Sequence, residues 1–236
     1  MKIGAVTMAY NDETVIKPTL RCLKPFVDTH VVILATDTFN GVVAPPDSTE
    51  QICLAEGVDI IKGFWGEEAK HRNVGVPALS DCDWIIHFDS DESMTAVDLE
   101  KLIKLLEYVK VDAIGHRCKC YWSTPDYRLD PYPTHTTIIA TRPKTKYVVK
   151  RNVACPILPI SNEICGIEMH HLAWCSPKDI LKKVTTYCHA NEFNGYKWYT
   201  DEYINWEVGK KAIDPHGGVW DVVYDPLPDE LRRMLD

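Results

Sequence analysis

The stretch Asp83-Trp84-Ile85-Ile86-His87-Phe88-Asp89-Ser90-Asp91-Glu92 constrains the chain most, because a nearly continuous apolar run ends abruptly in three acids. A short run of this kind, bracketed by turn residues, predicts a strand buried on both faces, as inside a parallel sheet. Open α/β sheets bind ligands outside the carboxyl ends of their strands, and the acids would stand at that edge. Asp89 and Asp91 are one residue apart, so a turn can aim both carboxylates at one cation. Mg²⁺ and Mn²⁺ take oxygen ligands and bridge protein carboxylates to phosphates. The stretch therefore predicts a metal-diphosphate site at a sheet edge; its bland alternative is a solvated turn.

The flanking sequence supplies the rest of such a sheet. Ile3 to Met8 predicts a first buried strand, stopped by Ala9-Tyr10-Asn11-Asp12-Glu13, with a helix over about 14–26 in which Pro18 limits regularity. His30 to Ala35 predicts a second strand, followed by a loop from Phe39 to Asp47. Ser48-Thr49-Glu50-Gln51 fits a capping box, Gly57 a helix stop, and Val58 to Ile61 a third strand. A helix over Gly66 to Ser80 precedes the acidic strand, and Thr95 caps another carrying Leu99, Leu102, Ile103 and Leu106. Strands alternating with helices over about 110 residues predict a doubly wound, mostly parallel α/β sheet.

After Val111 the pattern changes. Ala113 to Trp122, His135 to Thr141, Tyr147 to Lys150 and Ile164 to Leu172 predict strands joined by Pro-rich turns, hence a smaller mixed region. Ser176-Pro177-Lys178-Asp179 then caps a helix with Pro at its first position. No linker composition interrupts the chain, so residues 1–236 are expected to form one domain.

Composition narrows the function classes. A net charge of −8 argues against a broad nucleic-acid-binding face. Nine cysteines without a Cys-x-x-Cys pair predict reduced thiols in a cytoplasmic setting rather than a zinc site. The apolar start is cut off by Asn11-Asp12-Glu13, so it does not read as a signal peptide, and no run approaches the roughly 20 residues of a membrane span.

Several stretches in order resemble a GT-A glycosyltransferase of the family 2 type. Thr7-Met8-Ala9-Tyr10-Asn11-Asp12-Glu13 is similar to the family's first strand and turn. Glu68-Ala69-Lys70-His71-Arg72-Asn73-Val74-Gly75 resembles its Ala-Arg-Asn-x-Gly helix, and Trp84 to Glu92 its D-x-D strand. Met169-His170-His171-Leu172-Ala173-Trp174, with the Ser-Pro-capped helix running to His189, resembles the His-bearing strand and helix that close such domains. The resemblance spans about 3–189. It departs at Ala35-Thr36-Asp37-Thr38, where the family more often has paired acids, and shows no clear Glu-Asp pair where the base usually lies.

The resemblance implies a metal-dependent transfer of a sugar from a nucleotide diphosphate sugar, a UDP-sugar foremost, to a hydroxyl of a glycan or other acceptor, with inversion. It implies a GT-A-type sheet with a nucleotide half (about 1–110), an acceptor and metal half (about 111–190), and a tail (191–236) packed on them. Mn²⁺, or Mg²⁺, would be held by Asp91, Asp89 and His171; alternation along a strand turns His170 the other way. Nucleotide contacts would come from Ala9, Tyr10, Asn11, Asp37, Arg72, Asp89 and Ser90, with Arg72 either meeting the diphosphate or fixing the acidic loop. For the base, Glu163 leads, then Asp126, with Glu168 also open. Two other readings share the scaffold: a noncatalytic nucleotide- or glycan-binding protein, and a nucleotidyltransferase, although Tyr10-Asn11-Asp12-Glu13 lacks the latter's Gly and basic residue. A modified DNA base as acceptor would need a local basic surface, for which Lys144, Lys146, Lys150 and Arg151 are available.

Overall fold

Buried apolar strands alternate with helices from the first residues onward, as the pattern requires. The computed structural model describes residues 1–38, 41, 44–133, 136–186 and 190–236. The first part runs β1 (Ile3–Ala9), α1 (Ile16–Leu23), β2 (Thr29–Ala35), α2 (Thr49–Glu56), β3 (Asp59–Gly63), α3 (Glu68–Val74) and β4 (Trp84–Asp89). Next come β5 (Glu92–Ser93), α4 (Ala96–Tyr108), β6 (Ala113–His116), β7 (Lys119–Trp122), β8 (Thr124–Asp130) and β9 (Thr137–Thr141). They are followed by β10 (Tyr147–Val149), β11 (Asn152–Val153), β12 (Ile157–Ile160), α5 (Asn162–Cys165), β13 (His170–Trp174) and α6 (Pro177–Thr186). The tail adds α7 (Gly195–Trp198), β14 (Ala212–Ile213), β15 (Val219–Tyr224) and α8 (Asp229–Arg232).

Among the described residues the main sheet has the order β12-β6-β9-β4-β1-β2-β3. β1 pairs in parallel with both β2 and β4, while β9 runs antiparallel between β4 and β6. The chain winds outward from β1 to β3 and then returns to the other side of β1 as β4. That reversal opens a crevice at the carboxyl ends of β1 and β4, the place where open α/β sheets bind ligands. A second, mixed sheet in the order β14-β15-β8-β7-β13-β5 lies beyond that edge.

β4 is buried on both faces, which explains its unbroken apolar run. Trp84, Ile86 and Phe88 pack with Leu99, Leu102 and Leu106 of α4, while Ile85 faces Val6, Ile33 and Leu79. Leu227 and Leu231 of the tail join the first of these clusters. Thr95 caps α4 as expected, its hydroxyl accepting from the Asp98 amide, and Gly57 ends α2 at φ 76°.

Other expectations change. The 113–122 strand breaks at Arg117-Cys118, so that β6 joins the main sheet and β7 the mixed one. Ile164 to Leu172 is not one strand. Ser161 caps the short α5 through the Ile164 amide, Gly166 closes it at φ 65°, and β13 starts only at His170. The Ser48 side chain makes no cap; Asp47 receives the Thr49 amide instead. The 66–80 helix is broken at Gly75, with a 3₁₀ turn over Val76–Leu79. His135 and the end of the helix toward His189 lie outside the described residues.

Gly75 has a steric reason to be glycine. A Cβ there would lie 2.8 Å from Val6 Cγ2 and 3.1 Å from Ile33 Cδ1. Gly75→Ala is therefore expected to destabilise the fold by about 1–3 kcal/mol through overpacking, read as a lower urea midpoint. An unchanged midpoint would mean that β1 and β2 yield at this contact.

Candidate active site

Strand register places the acidic turn. Met8 of β1 pairs with Asp89 of β4, and the Ser90 amide donates to the Met8 carbonyl at 3.1 Å. Ser90 Oγ then donates to Asp12 Oδ2 at 2.6 Å, and the Tyr10 amide donates to the same oxygen at 2.8 Å. One residue on, β5 pairs antiparallel with β13, setting His171 opposite Glu92, while the Leu172 amide donates to the Asp91 carbonyl at 2.8 Å. These bonds bring residues about 80 positions apart to one wall of a cavity of about 640 Å³.

Asp91 is the electrostatic centre of that wall. Its Oδ1 lies 3.2 Å from His171 Nε2, and its Oδ2 accepts from Lys183 Nζ of α6. Burial opposes the charge on Asp91, but Lys183 and His171 outweigh it and hold the carboxyl well below its usual range. Burial likewise opposes a charged imidazole, yet Asp91 raises His171 well above the usual value. Nδ1 of His171 meets Cys120 Sγ at 3.5 Å. His170 points away, as strand alternation requires, into the core against Tyr121 Oη at 3.0 Å. Asp12, nearby, is pushed up to about 6 by burial, against the stabilising bonds from Ser90 and the Tyr10 amide.

Asp89 has a different environment. Arg72 donates to both its oxygens, at 2.8 and 3.1 Å, and Arg151 donates to Oδ2 at 2.8 Å. Arg151 also forks onto Glu92 at 2.6 and 2.7 Å, and Arg72 onto Glu68 at 2.8 Å. Burial works against the Asp89 charge, but the two guanidiniums lower its pKa to about 2. Asp89 is thus turned onto two arginines, whereas Asp91 faces His171 and Lys183. Arg72 also lines the cavity while bracing the acidic strand end through Asp89.

Several other expected residues line the same cavity: Ala9, Tyr10, Asn11, Asp37 and Ser90. Asn11 also has a structural task, donating to the Pro45 carbonyl at 2.9 Å and accepting from the Asp47 amide at 3.2 Å. The Tyr10 hydroxyl accepts from the Ala44 amide at 3.1 Å. The expected bases do not reach the cavity. Glu163 sits exposed on α5, and Asp126 pairs with Arg232. Glu168 is held by Lys119 at 3.0 Å and Tyr132 at 3.1 Å. Of the residues named for a DNA acceptor, Lys144 and Lys146 are exposed, Lys150 pairs with Glu192 at 3.1 Å, and Arg151 is turned inward onto acids.

Sequence reading missed Lys183, Arg151 in its ion-pairing role, Asp12 and Asp214. Asp214 lines the cavity from the β14–β15 turn. Its Oδ1 accepts from the His216 and Gly218 amides, both at 2.9 Å, and its Oδ2 from Trp220 Nε1 at 2.9 Å. A Cβ on Gly218 would fall 2.4 Å from that Oδ2, so the turn needs glycine there. The one available signal was Asp214-Pro215-His216-Gly217-Gly218, a turn sequence next to aromatic strands.

The donor set can be tested against a divalent ion. Among the described residues no group of three or more His, Cys, Asp or Glu side chains is arranged to hold one. Asp91 and His171 nevertheless fit as a pair. Adjacent ligands on an octahedral ion with bonds of about 2.1 Å lie about 3 Å apart, close to the observed 3.2 Å. Such an ion keeps further positions for water or substrate phosphate, so two protein donors suffice at a diphosphate site.

No family model and no curated protein matches the sequence. Among solved structures, a crystal structure of a mycobacterial protein is similar at a TM-score of 0.50 and 12% identity, covering 95% of this chain and 84% of that one. The fold is of the GT-A type. Glucosyl-3-phosphoglycerate synthase from Mycobacterium tuberculosis, solved with Mn²⁺, UDP and glucosyl-3-phosphoglycerate, gives a TM-score of 0.49 at 13% identity, covering 99% and 91%. S. aureus TarS gives 0.47 at 14% identity, covering 88% of this chain and 44% of that one. This chain therefore spans less than half the TarS chain, and at these identities the likeness concerns the fold alone. Among the described residues no helix is long and apolar enough to cross a membrane, and eight cysteines are free.

Proposed function

We propose that this chain is a glycosyltransferase that moves a sugar from a nucleotide diphosphate sugar, a UDP-sugar foremost, to an acceptor hydroxyl. The observation that carries this reading is the Asp91–His171 pair, 3.2 Å apart, on a cavity at the topological switch point of the sheet. In this reading residues 1–236 act as one domain, with Ala9, Tyr10, Asn11, Asp37 and Ser90 on the nucleotide side. Arg72 and Arg151 hold Asp89 and so fix the turn that presents Asp91. Asp91 Oδ1 and His171 Nε2 would hold Mn²⁺ or Mg²⁺. A bound ion would offset the charge that develops on the departing diphosphate. The free thiols suit a reducing, cytoplasmic setting.

Transfer breaks the bond between the anomeric carbon and the diphosphate oxygen, which leaves with the electron pair. The acceptor oxygen forms the new bond, and its proton must go to a base. We assign that base to Asp214, which sits in the cavity wall with amide and indole donors rather than a cation against it. A carboxylate has about four lone-pair sites; three are taken, which leaves room for an acceptor hydroxyl. An acceptor oxygen held there would attack the anomeric carbon from the face opposite the departing diphosphate, with inversion.

Calorimetric titration of UDP and GDP, with and without Mn²⁺, tests the site. UDP is expected to bind only with Mn²⁺, and Asp91→Ala to abolish that binding. Absence of binding by either nucleotide in Mn²⁺ would refute the assignment.

A further inference from the structure

We infer that Lys183 is a direct ligand of the substrate's diphosphate, poised by Asp91 beside the metal pair; this rests on the transferase reading above. α6 sends this lysine into the cavity wall, where Nζ donates to Asp91 Oδ2 and lies 5.7 Å from the centre of the Trp174 ring. An ammonium has three N–H donors. Asp91 takes one, and the other two have no partner among the described residues. The side chain is 28% exposed, so it remains open toward the cavity.

The neighbouring cations are committed elsewhere. Arg72 and Arg151 are spent on Glu68, Asp89 and Glu92. Lys182 donates to the Asn11 carbonyl and lies 3.5 Å from Asp179. Lys183 thus has both charge and spare donors at the point where a phosphate would arrive.

The two oxygens of Asp91 divide the work. Oδ1 faces His171 and Oδ2 faces Lys183, so one carboxylate can serve a divalent ion and the lysine together. A diphosphate bound beside the Asp91–His171 pair would come within reach of the remaining donors of Nζ. Charge-assisted hydrogen bonds of this type strengthen as negative charge gathers on the leaving oxygen. The lysine therefore stabilises the transition state more than the bound substrate.

The test compares wild type, Lys183→Met and Lys183→Arg by calorimetry with three probes: Mn²⁺ alone, UDP in saturating Mn²⁺, and uridine. Lys183→Met is expected to weaken UDP by about 10- to 100-fold, the scale of a hydrogen bond to a charged group, and to leave uridine unchanged. Mn²⁺ alone is expected to bind as well or better, because no ammonium competes for Asp91. Lys183→Arg is expected to regain most of the UDP affinity. Equal UDP binding by wild type and Lys183→Met would overturn the inference while leaving the transferase reading intact. Equal losses for UDP and uridine would show a structural role and overturn it too. Wild type that binds neither UDP nor GDP in Mn²⁺ overturns both. A thermal melt of each variant separates unfolding from lost contact.

Discussion

Asp214→Asn is expected to slow sugar transfer by about 10²- to 10⁴-fold, the usual contribution of a positioned general base, while UDP binding in Mn²⁺ stays within about twofold. Asparagine retains an oxygen for the His216 and Gly218 amides but presents either that oxygen or an amine, not two oxygens, to its surroundings. The turn is thus disturbed less than the proton acceptor. The split of the loss distinguishes the two effects: a fall in kcat with UDP affinity unchanged supports a base, whereas a matching loss of UDP affinity would mean that Asp214 only shapes the turn. Trp220→Phe removes the indole donor to Oδ2 and serves as the companion variant. It is expected to retain most activity, since the carboxylate itself remains.

Arg151→Met is expected to cost about 3–5 kcal/mol at neutral pH, because removing one partner of a buried ion pair strands the other. Arg151 is only 15% exposed and Glu92 1% exposed, so water replaces little of the lost interaction. The same substitution frees the His87 and Ile138 carbonyls from the guanidinium, at 3.0 and 3.1 Å. Chemical denaturation at several pH values reads both the size and the cause. Arg151 and Arg72 lower Asp89 to about 2 from an ordinary 3.8. A lowered folded-state pKa gives stability that is present above the unfolded value and is lost as pH falls through the folded one. For Asp89 that window runs from about pH 4 down to about pH 2. Without Arg151 the Asp89 pKa rises, so the gap between variant and wild type should narrow as pH falls from about 4 toward about 2. A gap independent of pH would assign the loss to packing rather than charge.

Asp12 works in the opposite sense. Its folded pKa is raised to about 6, so its contribution is fullest below about pH 4 and declines as pH rises to about 6. The bonds from Ser90 and the Tyr10 amide keep it in place despite that cost.

Much of the first 110 residues was legible because the signals there are local. The apolar run of β4, the Thr95 cap and the stop at Gly57 each depend on neighbours within a few residues. So does the prediction that acids stand at a strand's carboxyl end, since strand and turn are contiguous. Strand alternation separated His170 from His171 correctly. Local signals also misled. Apolar residues from Ile164 to Leu172 suggested a strand, but a Ser161 cap and Gly166 at positive φ fold the first of them into a helical turn.

What each acid does was decided only by tertiary structure. The sequence fixes neither the partner of Asp89 nor that of Asp91, because their cations arrive from 17, 62 and 92 residues away. The β5–β13 register brings His171 to Asp91, and the β10–β11 hairpin delivers Arg151 to Asp89. The base expected from family position fell outside the cavity for the same reason, and Asp214 entered it through a tail hairpin with no distinctive spacing. Hydrophobic periodicity is a property of neighbouring residues and can be read along the chain. The pairing of buried charges depends on where distant segments pack, and only the folded sheet edge sets it.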